Sequence, residues 1–551
     1  MSEKKYIYGI DLGTTYSCIA YVDDNGIAQV IENLEGTNTT PSVVFFPSKD
    51  EVIVGQAAKD EIELSPDKTV DFVKRLIGSS NKIDKLIHGE EKSPEEISSY
   101  ILKKIASDAE KSIGSPVKDV VITCPAYFGT EEREATKNAG ILAGLNVLEL
   151  IGEPTAAALY YGITKSSKGK TVLVYDLGGG TFDVTVLRID DAGDIKVVCS
   201  GGERLLGGYD WDKCLVNNMK NQFYSATGFT GDFNEDDCQA FAAKAEEVKK
   251  ALSQRESKDI NLKLDAGKAR ITVTREDFEK MTADLLETTL DVTKQIISEA
   301  KEKGYDIDEI LLVGGSTRMP QVREMLVNNF HIEPKFNEPD EAVAKGAAIY
   351  ALSVYENKVE EWKERKEKNM ALTVAEQQEA VLYEEEAAVS SSSITGVSSH
   401  KITEMITMAT TKSYALITYI NDVEKCENLI IKNQSMPYGS VSVTKPFYTR
   451  HDNQTTVELQ VCESDILDEV YDLGIVPVLG KCSLKMGPNL PKGSQLDVTF
   501  TLNKEGILHV HGKDISSNNY VDADMQTSHN TGMSSTALMS LKEKTTAIAV
   551  R

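Results

Sequence analysis

No two cysteines in this chain stand at a C-x-x-C spacing, although there are eight: Cys18, Cys124, Cys199, Cys214, Cys238, Cys426, Cys462 and Cys482. That scatter argues against a zinc site or a disulfide framework and leaves most of them as small buried apolar residues. No apolar run is long enough to span a bilayer. Met1-Ser2-Glu3-Lys4-Lys5 passes straight into a strand-like segment without the apolar stretch of a secretory signal, so a cytoplasmic location is expected. An excess of positive charge is also missing, since 60 Lys and Arg face 86 Asp and Glu for a net charge of −26. Such a balance opposes binding to bare nucleic acid or an anionic membrane and favours solubility. His509 and His511 alternate along one strand face. That face is either a two-ligand metal site or an ordinary solvated surface.

At 551 residues, with 41% hydrophobic and 26% charged, the chain has the composition of a soluble protein with several domains. Two short segments repeat one device. Asp11-Leu12-Gly13-Thr14-Thr15-Tyr16 and Asp176-Leu177-Gly178-Gly179-Gly180-Thr181-Phe182-Asp183 each lie between apolar, β-branched runs and read as strand–turn–strand hairpins. Glycines let backbone N–H groups approach an anion, threonine hydroxyls add donors, and an Asp ending the incoming strand can hold a hydrated metal ion. One such hairpin taken alone could be a structural turn. Two of them, about 165 residues apart, suggest duplicated lobes gripping one polyphosphate.

Residues 1–355 mix strands with helices. Glu95 to Lys111 and Glu131 to Leu142 have helical spacing, while Val120 to Thr123 and Glu309 to Val313 read as buried strands. This predicts an α/β domain with largely covered sheets. From about Tyr355 the chain turns densely charged, then rich in Ala, Glu and Gln, then Ser-rich. Residues 356–401 therefore read as a charged helical insert and tether, either simply exposed or partner-binding. Residues 402–525 switch to strands with period-2 alternation, as in Val457 to Val461 and Leu496 to Leu502, with a hairpin turn at Asn503 to Gly506. A small all-β sandwich is expected there. Residues 526–551 read as a short polar tail with at most one helix.

A third glycine element, Gly314-Gly315-Ser316-Thr317-Arg318, follows the strand ending at Val313. Its backbone can pass under a base or ribose, and Arg318 can stack on a purine. Three glycine turns at strand ends make ATP the expected ligand. Gly162…Gly169-Lys170-Thr171 is no Walker loop, because the spacing is six residues and a strand follows.

These motifs, together with Ile151-Gly152-Glu153-Pro154-Thr155-Ala156-Ala157-Ala158, resemble those of the seventy-kilodalton heat-shock chaperones (DnaK-like), which belong to the actin-like ATPases. The resemblance implies an α/β actin-like ATPase domain of two duplicated lobes followed by a β-sandwich that binds extended polypeptide. It implies that Gly13, Thr14, Thr15, Tyr16, Gly178, Gly179 and Thr181 cradle the β- and γ-phosphates of ATP or ADP. Asp11 and Asp176 would orient the water shell of Mg²⁺, and K⁺ is a further candidate ion. Lys74 matches the family's catalytic lysine, with Glu153 in the same polar site. Gly207 and Gly208 match a phosphate-side turn; Glu246, Lys249, Lys250 and Ser253 match the adenosine-binding helix, with Lys250 where the family usually has Arg. Gly314, Gly315, Ser316, Arg318 and Asp340 complete that pocket. Pro125 and Arg133 match residues that relay nucleotide state.

In the sandwich the likeness is weaker. Phe447 and Val457 fall where the family places peptide-pocket residues, or are plain core. Arg450 replaces a small residue that arches over the peptide, and the family's Gly-Gly substrate loop is replaced by the charged Asn421 to Glu427. The linker departs too, with Met405-Ile406-Thr407-Met408 in place of an aliphatic, Asp-containing segment. The region between Gly78 and Lys92 is shorter than usual, and a full helical lid is missing, as in short, specialised members. The expected function is an ATP-dependent chaperone, an ATPase whose turnover regulates polypeptide binding, served by a J-domain co-chaperone and a nucleotide exchange factor. The alternatives are an ATP-binding regulatory relative with weak peptide binding, a small-molecule kinase of the same superfold, and an actin-like filament former.

Overall fold

The computed structural model describes residues 6–78, 83–164, 168–336, 338–367, 393–394, 397–398, 406–436, 439–474, 476–504, 506–525 and 535–551. The duplication is visible in the strand pairing. In the first lobe Tyr8–Asp11 pairs antiparallel with Tyr16–Val22, which pairs with Ala28–Val30. On its other side Tyr8–Asp11 runs parallel to Asp119–Cys124, which is parallel to Asn146–Gly152. The second lobe repeats this order with Lys170–Leu177, Phe182–Ile189 and Ile195–Glu203, and with Glu309–Val313 and Lys335–Phe336 on the parallel side. Both hairpins therefore present an Asp at the same corner, Asp11 opposite Cys18 and Asp176 opposite Asp183.

Alanine- and glycine-rich helices, Glu153–Thr164 and Ala342–Glu367, fill the space between the lobes, and one apolar cluster draws on both sheets and both helices. Small residues permit this closeness. A Cβ on Gly346 would fall 1.8 Å from the Ala156 carbonyl oxygen, and one on Gly9 would fall 2.0 Å from the Ala348 nitrogen. The expected helix over Glu95 to Lys111 is Pro94–Ile113, capped by Ser93, and that over Glu131 to Leu142 is Thr130–Leu142. The change of character near Tyr355 is not a break between elements. Ala342–Glu367 is one helix of 26 residues, whose first half is buried between the lobes and whose charged second half is mostly half-buried, with Glu360, Glu361 and Glu364 exposed. Of the rest of the expected insert, 368–392, 395–396 and 399–401 lie outside the described residues, as does Met405.

The all-β expectation holds. Five strands (Ser413–Ile420, Val423–Ile430, Thr456–Ser464, Val470–Asp472 and Val478–Lys485) form one sheet, and four (Ser440–Tyr448, Gln495–Asn503, Leu508–Asp514 and Tyr520–Met525) form the other. Alternate residues Leu496, Val498, Phe500 and Leu502 point into the shared core, the period of a half-buried strand. The charged Asn421 to Glu427 is not a loop, which corrects the sequence reading. Only Asn421 and Asp422 turn, with φ of 53° and 61°, and the strand Val423–Ile430 begins at once. Two successive left-handed residues match the twist of the flanking strands, so a two-residue turn suffices.

His509 and His511 do share a strand face. His509 contacts Asp524 through Nδ1 at 2.8 Å and Asp522 through Nε2 at 3.2 Å, while His511 Nδ1 lies 2.7 Å from Asp522. Among the described residues no group of three or more potential ligands gathers closely enough for a metal ion.

Two outcomes follow from these contacts. Gly346→Ala forces apart two helix backbones and is expected to lower stability by about 1–3 kcal/mol, read as an earlier urea midpoint; an unchanged midpoint contradicts the packing described. The hydrogen bond to Asp524, with Asp522 adding to it, raises the His509 pKa above its ordinary value. Its stabilising effect is therefore present below the unfolded pKa of about 6.5 and is lost as pH rises through the higher folded value. An NMR titration of His509 with a midpoint at or below about 6.5 counts against this clasp.

Candidate functional site

The two Asp-Leu-Gly hairpins face each other across a cavity of about 830 Å³. Asp11, Gly13, Thr14, Thr15 and Tyr16 line it from the first lobe, and Asp176, Gly178, Gly179 and Thr181 line it from the second. The turns touch so closely that a Cβ on Gly179 would fall 1.5 Å from Thr15 Oγ1. That buried hydroxyl has no hydrogen-bond partner. A polar group left so is expensive unless something fills the cavity beside it. Gly207 and Gly208 stand directly behind this turn, where Gly208 donates its N–H to the Gly178 carbonyl at 3.0 Å.

At the floor Lys74 is 5% exposed, and its ammonium donates to Glu153 Oε1 at 2.5 Å. A lysine inside Asp71-Phe72-Val73-Lys74-Arg75-Leu76 reads as a surface residue from local pattern alone. The short helix Val73–Leu76, entered through Phe72 at φ 50°, turns it inward. Burial alone would lower its pKa, but Glu153 and Asp11 outweigh that and raise it. The carboxylates outnumber this cation. Burial first, and the Glu153 charge second, push Asp11 up to about 7 and Asp176 well above the carboxylate range. Asp183 is raised for the same reasons. Thr123 Oγ1 donates to Asp11 at 2.9 Å. Such a surplus of buried negative charge fits a hydrated divalent cation arriving with a polyphosphate.

The far end of the cavity is lined by Glu246, Lys249, Lys250 and Ser253 of the helix Glu235–Leu252 and its cap, and by Gly314, Gly315, Ser316, Arg318 and Asp340. Gly314 sits at φ 82°, and a Cβ there would strike the Leu177 carbonyl oxygen at 2.5 Å. Arg318 pairs with Asp340 at 2.6 Å, and Lys249 with Asp212 at 2.6 Å. Lys250 is turned toward Glu246 at 2.7 Å and the Tyr16 hydroxyl at 3.1 Å.

Lys59 is a residue the sequence reading missed. Its ammonium bridges two residues that line the cavity, donating to Glu246 Oε2 at 2.6 Å and to the Tyr16 hydroxyl at 3.1 Å. Burial pushes the Glu246 pKa up, but Lys59 and Lys250 overcome it and hold the group down at about 2. Nothing local marks Lys59, because the pair joins residues 187 positions apart.

The sandwich is docked against the same domain. Ile406–Ala409 runs parallel to Ile195–Glu203 and pairs antiparallel with Ser435–Met436, so the tether strand is hydrogen-bonded into both. Thr130 Oγ1 contacts the Gly506 carbonyl at 2.9 Å and Glu463 at 3.1 Å. Asn433 joins Glu299 at 2.9 Å and the Ser200 N–H at 3.1 Å. Arg133 donates to the Phe128 carbonyl at 3.1 Å, and the Phe128 N–H meets the Pro125 carbonyl at 3.2 Å. The Ala126 N–H donates to Asp183 at 3.1 Å. Phe447 is buried in the sandwich core, and Val457 packs against that core. Arg450 stacks over the Tyr419 ring, 3.5 Å from its centroid, and lies 3.5 Å from Asp422.

A family model described as Hsp70 protein matches residues 7–363 and 357–550. The chain belongs to the Hsp70 family. It is 38% identical over 522 residues to the chaperone protein DnaK of Thermosipho melanesiensis, across 93% of this chain and 79% of that one. It is 39% identical over 531 residues to the DnaK of Thermotoga neapolitana, across 94% and 80%, and equally to that of Thermotoga petrophila. The two lobes and the sandwich are thus the actin-like ATPase and the β-domain of an Hsp70, and Hsp70 members are ATP-dependent chaperones. Among the described residues no helix is long and apolar enough to cross a membrane.

Lys59→Met is expected to retain the circular dichroism spectrum and to release a fluorescent ADP about tenfold faster in stopped flow, through loss of the hydrogen bonds to Glu246 and Tyr16. An unchanged release rate would remove Lys59 from the site.

Proposed function

We propose that the cleft binds and hydrolyses Mg-ATP and that turnover switches the docked sandwich between weak and tight binding of extended polypeptide. The observation that carries this reading is the pairing of Lys74 with Glu153 beneath two facing glycine hairpins, amid surplus carboxylates. Gly13, Thr14, Thr15 and Tyr16 hold the phosphates from one side, and Gly178, Gly179 and Thr181 from the other, through N–H and O–H donors. Asp11 and Asp176 hold Mg²⁺ through its waters, and the ion offsets phosphate charge when bound. K⁺ is a second cation for the same acidic floor. Lys74 orients the attacking water and stabilises charge on the transferring phosphoryl group, while Glu153 fixes the ammonium in place. Arg318 stacks on adenine, braced by Asp340, and Glu246, Lys249, Lys250 and Ser253 contact the nucleoside.

The route to the sandwich starts at Asp183, which holds the Ala126 N–H beside Pro125, and runs through Phe128 and Arg133 to Thr130. A change of charge at the cleft floor can bias that contact and the tether strand together. Residues 1–355 form the ATPase unit, 402–525 the polypeptide-binding unit, and the segments between and after them connect and strap the two. Phe447, Val457 and Arg450 shape the peptide site, with Arg450 favouring peptides that are not purely apolar. A J-domain protein and a nucleotide exchange factor act as partners, in the cytoplasm.

Steady-state ATPase with and without an unfolded peptide and a J-domain protein tests the coupling, with stimulation by both expected. Basal turnover that neither changes would leave an ATPase without a coupled chaperone cycle. Lys74→Ala is expected to keep ATP binding and to slow single-turnover hydrolysis by about a hundredfold or more. Turnover within about twofold of the unaltered chain would remove Lys74 from the chemistry.

A further inference from the structure

A small sheet of the first lobe, called the roof below, has an open side, and Ala549–Val550 covers it. The roof consists of Val44–Phe45, Glu51–Val54 and Thr69–Val70. It leads directly into Lys59 on one side and into the turn bearing Lys74 on the other. Without a neighbour, Glu51–Val54 would be an edge strand with unpaired backbone groups. Ala549–Val550 adds to it in parallel. Ala549 donates to the Asp50 carbonyl at 3.3 Å and Arg551 to the Val52 carbonyl at 2.9 Å; the Val54 N–H returns a bond to the Arg551 carbonyl at 2.9 Å. Ile548 and Val550 pack against the first lobe's core, which includes Val52 and Val54.

The preceding helix, Ser535–Ala547, is anchored as firmly. Its last carbonyls lack partners within the helix, as in any helix. Here the Lys103 ammonium caps them, donating to Thr545 O at 3.1 Å and to Ile548 O at 2.9 Å. A cation is the favoured group at that end. Thr545 is 1% exposed and donates to the Leu142 carbonyl at 3.1 Å. Leu142 ends the helix Thr130–Leu142, whose first residue holds the sandwich at Gly506 and Glu463.

We propose that residues 535–551 act as a strap in cis, completing the roof sheet and tying it to the helix that holds the sandwich, so that an engaged strap slows nucleotide release. For nucleotide to leave, the Lys59–Glu246 pair must part and the roof must move from the opposite lobe. A roof bonded to a fourth strand, itself fixed through Lys103 and Leu142, moves less readily. The inference rests on the reading of the cleft as a nucleotide site.

The test uses the full chain with Ala549→Pro and Arg551→Pro, which delete the two amide donors and leave the helix intact. A second variant, Lys103→Met, removes the carbonyl cap, and a chain ending at residue 534 removes the strap altogether. Hydrogen exchange at residues 50–54 is expected to quicken about fivefold or more in each, and release of fluorescent ADP to quicken about threefold or more. Unchanged exchange at 50–54 overturns the strand pairing, and faster exchange with unchanged release overturns the hold on the cleft. Exchange in the unaltered chain that quickens on dilution overturns the cis arrangement, because the strand would then come from a second copy. An unaltered chain that binds no nucleotide refutes the assignment of the cleft, while the exchange measurement still decides the strap.

Discussion

Everything in this molecule is arranged around one electrostatic imbalance. Lys74 pairs with Glu153 in a water-poor floor that also holds Asp11, Asp176 and Asp183. One ammonium cannot balance four carboxylates, and removing charge from water costs several kcal/mol per ion unless it is compensated. Raised carboxylate pKa values record that cost. The floor is satisfied best when a cation and a polyphosphate enter together, which makes the empty and filled cleft different electrostatic objects. A switch needs that kind of difference.

The imbalance can exist only because two lobes converge on it. Each supplies a hairpin whose strand ends in Asp, and each is held at the right distance by helices of alanine and glycine. The near-contacts of Gly346 with Ala156 and of Gly9 with Ala348 leave no room for side chains. Close approach makes the frame stiff, and stiffness lets a change at the floor reach distant surfaces rather than dissipate locally. Asp183 reaches outward through Ala126, and the tether strand beside Ile195–Glu203 extends the second lobe's sheet toward the sandwich.

The legibility of the sequence follows from the range of each interaction. The hairpins, the third glycine turn and the alternation of Leu496 to Leu502 were readable because turn chemistry and strand period are local properties. Lys74 was readable only through resemblance, since its burial depends on Phe72 turning the chain and on Glu153, 79 positions away. Lys59 was not readable, for want of any local sign of its bridge to Glu246. The charged Asn421 to Glu427 was set in place of the family's substrate loop through the resemblance alone, which does not show the two-residue turn that the left-handed Asn421 and Asp422 provide. The unusual tether looked unsuited to its role, yet backbone pairing asks little of side chains, and Ile406 is buried with Met408 and Ala409 packed beside it.

By itself the sequence determined the duplicated Asp-Leu-Gly turns, the α/β and all-β halves and the membership of a chaperone family. Those properties reside in short motifs and in periodicity, which survive without knowledge of the fold. Tertiary structure decided which charges share one dry floor, which lysine bridges Glu246 and Tyr16, and where the C-terminal strand lies. These depend on contacts between residues far apart in the chain, and distance in sequence carries no record of closeness in space.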